Sequence, residues 1–298
     1  MNLRSSQRLL GMALALALTS CASAGYVPAT SMPAARAALQ PEYRLFYDAL
    51  QDYGDWVLIE PFGFVFRPRV DFATFRPYED GFWAPSDPWG WVWISAEPFG
   101  WATYHYGTWT WDRFQGWVWL PGLDWAPAWV DWQIADAYAG WSPIYPRGGG
   151  GGPGGDYLFA PLSRLGSTDL RGQMATRAQL GDAVASARPL REELVENGVR
   201  FNPGPPIQSV ERARGQALTR VRIDGPGAPG AEAEIDAIKQ AATTAARKAD
   251  ALMEQGGAPP RELPLPRPDM TRVKESRPAP AKPVKRPAQG RAAADTTR

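Results

Sequence analysis

Few residues in this chain have the type and spacing for chemistry. Its one cysteine, Cys21, follows Leu18-Thr19-Ser20, and its one histidine, His105, stands between Tyr104 and Tyr106. With no second histidine and no further thiol, Cys and His cannot assemble a nucleophile–base pair or a zinc site. A lone His between two Tyr on a strand reads as a structural hydrogen-bonding residue. The pair Glu79/Asp80 has the residue types of a glycosidase acid and base. It stands, however, in Tyr78-Glu79-Asp80-Gly81, and Asp-Gly is a turn signal. Gly148 to Gly152 has no following Lys-Ser/Thr, so it is not a phosphate-cradling loop. The expectation is a protein without catalytic residues, metal or cofactor, apart from a covalent lipid at Cys21.

Tryptophan is the remaining candidate. All 14 Trp lie between Trp56 and Trp141. Flat indole faces beside carboxylates suit sugar rings, and Trp89, Trp91, Trp93, Trp109, Trp111, Trp117 and Trp119 form the candidate platform for a glycan or a protein partner. The competing reading is that the same rings are core, because aliphatic residues are few in this stretch.

The case for lipid at Cys21 rests on what precedes it. Arg4 and Arg8 give a positive start, and Leu9 to Leu18 is an apolar run too short to span a bilayer. The run ends in Leu18-Thr19-Ser20-Cys21, which resembles a bacterial lipobox. Acylation there would supply the several chains that stable anchoring needs. By resemblance to Gram-negative lipoproteins, Ala22 after the cysteine favours the outer membrane, with the body facing the periplasm. The alternative is cleavage after Ala22-Ser23-Ala24 and a soluble secreted or periplasmic protein.

The elements that position the aromatics follow from an internal repeat. Gly63-Phe64-Val65-Phe66, Gly90-Trp91-Val92-Trp93, Gly116-Trp117-Val118-Trp119 and a degenerate Gly140-Trp141-Ser142-Pro143 are spaced 27, 26 and 24 residues apart. Incoming segments led by Trp56, Trp83, Trp109 and Trp132 keep nearly the same period, with steps of 27, 26 and 23. Residues two apart share a strand face. Each unit therefore reads as a β-hairpin, and the chain as a Trp-rich antiparallel meander of about four hairpins. The pairs Asp87-Pro88 and Glu97-Pro98 are read as turns between units.

The whole chain divides into a signal peptide (1–20), a tether (21–39), the Trp-rich repeat β-domain (40–146), a flexible Gly-rich linker (147–155), a mixed segment (156–225), a helix (226–257) and a disordered Pro/Arg/Lys-rich tail (258–298). Glu42 to Gln51 has helical spacing, and Tyr157-Leu158-Phe159 and Val221-Arg222-Ile223 read as strands. Arg191 to Glu196 has a helical pattern, and whether the mixed segment folds alone is left open. The Ala-rich stripe Ile235, Ile238, Ala242, Ala245, Ala249 and Leu252 suits an isolated or weakly docked helix better than an oligomerising one. The tail holds nine Pro, ten Arg or Lys and four acids. It serves either as a solvated spacer or as a contact to anionic envelope polymers and lipids.

Charge excludes one partner class. The formal net charge is +1, yet Gln40 to Pro146 carries 14 acids against five Arg and no Lys. A module this acidic repels phosphate, so no nucleic-acid partner is expected.

A longer pattern runs through the repeat: Phe46-Tyr47-x-x-Leu50-x-x-Tyr53-Gly54-x-Trp56, Phe75-Arg76-Pro77-Tyr78, Trp101-Ala102-x-Tyr104-His105-Tyr106-Gly107-x-Trp109, and Trp125-Ala126-Pro127-Ala128-Trp129-Val130. In this order it resembles a bacterial family of Trp-rich envelope proteins known as domain of unknown function 6600. The likeness covers about residues 43 to 145 and continues more loosely to Ile223, through Gly204-Pro205-Pro206. It implies secreted or lipid-anchored proteins and transfers no activity and no catalytic residue. The functional expectation is a non-catalytic envelope lipoprotein anchored in the membrane and making structural or protein–protein contacts. The alternatives are a glycan- or peptidoglycan-binding module and, behind it, a hydrolase.

Overall fold

A computed structural model describes residues 33–256 apart from 88, 154, 197, 222 and 224–231. The protein is mainly antiparallel β, with a few short helices and one long helix, Glu232–Glu254. The signal peptide, Cys21, most of the tether and the tail lie outside the described residues.

Four hairpins stand where the repeat places them: β1 (Gly54–Ile59) with β2 (Gly63–Pro68), β3 (Gly81–Ser86) with β4 (Gly90–Ser95), β5 (Tyr106–Asp112) with β6 (Gly116–Trp125), and β7 (Val130–Ile134) with β8 (Tyr138–Pro143). The repeating glycine explains the period. Gly63, Gly90 and Gly116 adopt φ of 76°, 77° and 77°, and each pairs with the last residue of its incoming strand: Ile59, Ser86 and Asp112. A three-residue turn closing on a left-handed residue needs glycine there. Gly140 of the degenerate unit pairs with Gln133 inside the ladder instead. The leading Trp of each unit meets an aromatic across the ladder: Trp56 and Phe66, Trp83 and Trp93, Trp109 and Trp119, Trp132 and Trp141.

The hairpins do not join as a sequential meander. One sheet has the order β1-β2-β6-β5, while β3-β4 stands as its own pair. The third sheet has the order β10-β9-β8-β7-β11 and recruits β9 (Leu158–Pro161), β10 (Ala175–Thr176) and β11 (Arg188–Leu190) from the mixed segment. β12 (Leu194–Glu196) and β13 (Val199–Phe201) form a small hairpin where the sequence suggested a helix. Asp87 likewise lies in the turn inside the second hairpin, not between units.

The mixed segment is not a separate body. Leu158, Leu165, Leu170, Phe201, Ile207 and Val210 share one core with the tryptophans. Pro203 and Pro205 clamp the second hairpin: Trp91 donates its backbone N–H to Pro203 O at 3.0 Å and its indole N–H to Pro205 O at 2.8 Å. Gly204 must be bare, since a Cβ would lie 2.8 Å from the Trp91 ring. Val221 adds a single bridge to Ser86.

The Gly-rich run is a strap and not a flexible linker. Gly150 O accepts the backbone N–H of Trp111 at 2.8 Å, and Gly150 N donates to Thr110 Oγ1 at 2.9 Å. The run thereby covers the outer edge of β5, whose groups would otherwise lack partners. Part of the tether is also folded. The helix Ala34–Ala38 buries Arg36, whose guanidinium grips Asp48 at 2.8 and 2.9 Å and also pairs with Asp250 of the long helix. Arg44 pairs with the same Asp250. The long helix is thus docked on the two leading helices, Ala34–Ala38 and Arg44–Leu50.

Candidate functional site

The expected tryptophan platform does not exist as an exposed row. Trp89, Trp91, Trp93, Trp109, Trp117 and Trp119 are all buried, and Trp111, the last of that set, is partly buried against the same core. Ten of the 14 Trp are buried and none is exposed. The reason is volume: thin hairpins with few aliphatics fill their interior with rings, and edge-to-face packing holds them there. Trp83 lies 5.1 Å from Trp93, 4.5 Å from Trp132 and 5.7 Å from Trp141, centroid to centroid.

The remaining chemistry-bearing residues are committed to structure. His105 is buried, with Nδ1 3.1 Å from Ala126 O and its ring stacked on Trp125 at 10°. Burial pushes its imidazole down to about 4, against the opposing pull of backbone carbonyl contacts. Asp80 pairs with Arg171 at 3.0 Å. Burial raises the Glu79 carboxyl, countered by Arg171 and Arg76. Glu97, which sequence reasoning passed over, accepts from Tyr104 Oη at 3.0 Å and from the Ser95 hydroxyl. Burial raises its carboxyl too, ahead of those hydrogen bonds, which lower it. Among the described residues no group of His, Cys, Asp and Glu is arranged to hold a metal ion.

What the sequence reading missed is an aromatic and polar cleft at one end of the four-stranded sheet. The register sets which end: Gly54 pairs with Pro68, and Phe66 with Trp119, so the β5–β6 turn lies beside residues 67–72. The cleft has a volume of about 200 Å³ and is lined by Asp55, Arg67, Arg69, Phe72, Gln115 and Trp117, among others. Its polar side chains are wired together. Arg67 donates from Nη1 to Gln115 Oε1 at 2.7 Å and from Nη2 to Asp55 Oδ2 at 2.6 Å, and Arg69 donates to Asp55 Oδ1 at 3.3 Å. The Arg67 hydrogen bond holds the Asp55 carboxyl below the usual carboxylate range, outweighing desolvation.

The apolar wall is equally fixed. Phe72 is 49% exposed, yet its ring rests against Trp111 at 5.3 Å. Beneath it lies the bare α-carbon of Gly116, where a Cβ would come 2.9 Å from the ring. Tyr53, Val70 and Phe114 are exposed at this same end, and Arg113 lies over the Phe114 ring at 4.4 Å. A larger, shallower cleft of about 690 Å³ runs between Trp132, Tyr157, Glu192 and Arg200, and its walls carry a surface ion pair, Arg200 with Glu193 at 2.7 Å.

Residues 47–148 match the family of unknown function DUF6600. No curated protein and no solved structure matches the chain. The DUF6600 segment contains all four hairpins and every residue lining the cleft. It is not self-sufficient: Trp91 and Trp132 are covered by Gly204, beyond its end. The cleft was legible only in one signal. Three of the five Arg between Gln40 and Pro146, namely Arg67, Arg69 and Arg113, sit beside Phe72 and Phe114, two aromatics that fall outside the repeat.

Proposed function

We propose that the protein is a non-catalytic lipoprotein of the bacterial cell envelope. In this reading it is anchored through an acylated Cys21 and presents a rigid aromatic β-body for structural or protein–protein contact. The observation that carries it is the end of the four-stranded sheet. Of the seven exposed large hydrophobic residues in the described chain, four, Tyr53, Val70, Phe72 and Phe114, gather there. A cluster of exposed apolar residues rimmed by charge marks a contact surface. The body behind it is stiff, since its rings are interlocked and three indole N–H groups bond backbone carbonyls, Trp109 to Thr103, Trp119 to Tyr106 and Trp141 to Tyr78.

The anchor rests on the sequence: Arg4, Arg8, the short apolar run and the lipobox-like Leu18-Thr19-Ser20-Cys21. Ala22 favours the outer membrane with the body in the periplasm, and cleavage after Ala24 to a soluble form is the rival. Catalysis is disfavoured because His105 and Glu97 spend their polar atoms on internal partners. Labelling cells with a fatty-acid analogue should mark the wild type and leave Cys21→Ala unmarked, with the label in the outer-membrane fraction. An unlabelled soluble wild type refutes the anchor. Pull-down with the anchored chain should lose its partners on Phe72→Ala/Phe114→Ala, and unchanged capture refutes the contact surface.

A saccharide-binding reading cannot use the tryptophan row, which is buried. The cleft beside Phe72 favours it on separate grounds.

A further inference from the structure

We infer that the cleft between the β1–β2 ladder and the β5–β6 turn binds an uncharged sugar ring, resting on the reading of this end as the contact surface. Sugar sites combine an aromatic face for the C–H side of the ring with planar polar side chains for its hydroxyls. Both are present within one small volume. Phe72 supplies an aromatic face that is open to solvent and yet clamped between Trp111 and Gly116. Asp55, Arg67 and Gln115 supply planar groups, two polar atoms each or more, held in place by their mutual bonds at 2.6 and 2.7 Å.

That network leaves capacity on the right atoms. Gln115 uses its oxygen on Arg67 and keeps its amide N–H donors, Arg67 keeps further N–H donors, and Asp55 keeps acceptor lone pairs. A hydroxyl is both donor and acceptor, so this mixed set suits it. Because the side chains are already fixed, binding loses little side-chain freedom. The volume of about 200 Å³ lies below the roughly 300–1,000 Å³ of pockets for drug-sized ligands, as fits a single ring.

Charge argues against an anionic ligand or a bilayer of acidic lipid. Arg67 and Arg69 pair with Asp55, and with Arg113 they are outnumbered by the neighbouring Asp52, Asp55, Asp71 and Asp112, so the end carries no cationic excess. Two of those carboxylates are further occupied by local backbone: Asp71 accepts from Ala73 N and Asp112 from Phe114 N, each at 2.8 Å.

The test uses the full-length chain in detergent, with chitotriose and maltotriose as probes, read by saturation-transfer NMR and calorimetry. At least one trisaccharide should bind saturably at one site. Phe72→Ala and Gln115→Leu should each weaken it about tenfold. Leu58→Ala, exposed at the opposite end of the sheet, should leave binding unchanged. Phe72 is half-exposed, so its truncation leaves the fold intact, checked by near-ultraviolet circular dichroism. Absence of binding by both sugars overturns the inference, as does binding that survives both cleft variants. So does a chain that binds phosphatidylglycerol vesicles through Phe72 and no sugar. If no sugar binds while Phe72→Ala/Phe114→Ala still abolishes partner capture, the sugar inference falls and the contact surface stands. If the variants change neither readout, both fall.

Discussion

The indole N–H of Trp141 donates to the carbonyl of Tyr78 at 3.0 Å, tying the fourth hairpin to the segment that precedes the second. Tyr78 holds that carbonyl in place with a left-handed backbone, φ 62°, which is costly for a bulky side chain. Its buried ring offsets the cost. It stacks parallel on Trp83, and its hydroxyl donates to Tyr104 O at 3.2 Å while accepting the Trp129 N–H at 3.0 Å. Burial drives the phenol well above its ordinary range, so it stays a donor.

Tyr78→Phe keeps the ring and leaves Trp129 N and Tyr104 O buried without that partner. Stability should fall by about 1–3 kcal/mol, the cost of unsatisfied buried groups. The midpoint of chemical denaturation measures it, and an unchanged midpoint would show that the hydroxyl bridge contributes nothing.

Two tryptophans separate ring volume from hydrogen bonding. Trp109 donates to Thr103 O at 2.8 Å, whereas the buried Nε1 of Trp93 has no partner among the described residues. Replacing either by Phe removes similar volume. Trp109→Phe should therefore cost about 1 kcal/mol more than Trp93→Phe in matched denaturation curves. Equal losses would contradict the assignment.

The glycine strap gives a paired contrast. A Cβ on Gly150 meets nothing within 4 Å, while one on Gly152 would lie 2.8 Å from the Trp111 ring. Gly152→Ala should lower stability by about 1–3 kcal/mol through overpacking, and Gly150→Ala should be nearly neutral. Thermal melting distinguishes the two, and equal effects would mean the run is loose.

The hairpins were legible because each one is local. A glycine at positive φ and an aromatic four residues beyond the turn's start are fixed by neighbouring residues. The pairing of β2 with β6 was not legible, because it joins residues far apart through a single ladder pair, Phe66 with Trp119. Composition could not separate a buried Trp91 from an exposed one, since both readings need the same ring. Gly148 to Gly152 misled for a related reason: lack of side chains signals freedom in a free chain, and here it permits close approach to Thr110 and Trp111. Phe72 and Gln115 lay outside the repeat, so periodicity carried no information about them.

The buried imidazole sets a pH dependence. His105 titrates near 4 when folded, below its ordinary value of 6.5. The unfolded chain therefore binds the extra proton across that interval, and stability falls as pH drops from about 6.5 towards 4, by about 3 kcal/mol at most. Glu79, Glu97 and Asp131 have raised carboxyls and act in the opposite sense, losing stability as pH rises above the ordinary carboxylate range. Subtracting the profile of His105→Gln from that of the wild type should isolate the histidine part. A difference independent of pH between 4 and 6.5 would show that His105 is not buried neutral.

Acrylamide quenching of tryptophan fluorescence in the full-length chain tests the aromatic interior most directly. With ten of the 14 rings buried, the account predicts a blue-shifted emission and a strongly curved quenching plot, most of the intensity being inaccessible. A linear plot with every ring reached, in a chain that is still folded by circular dichroism, would contradict it.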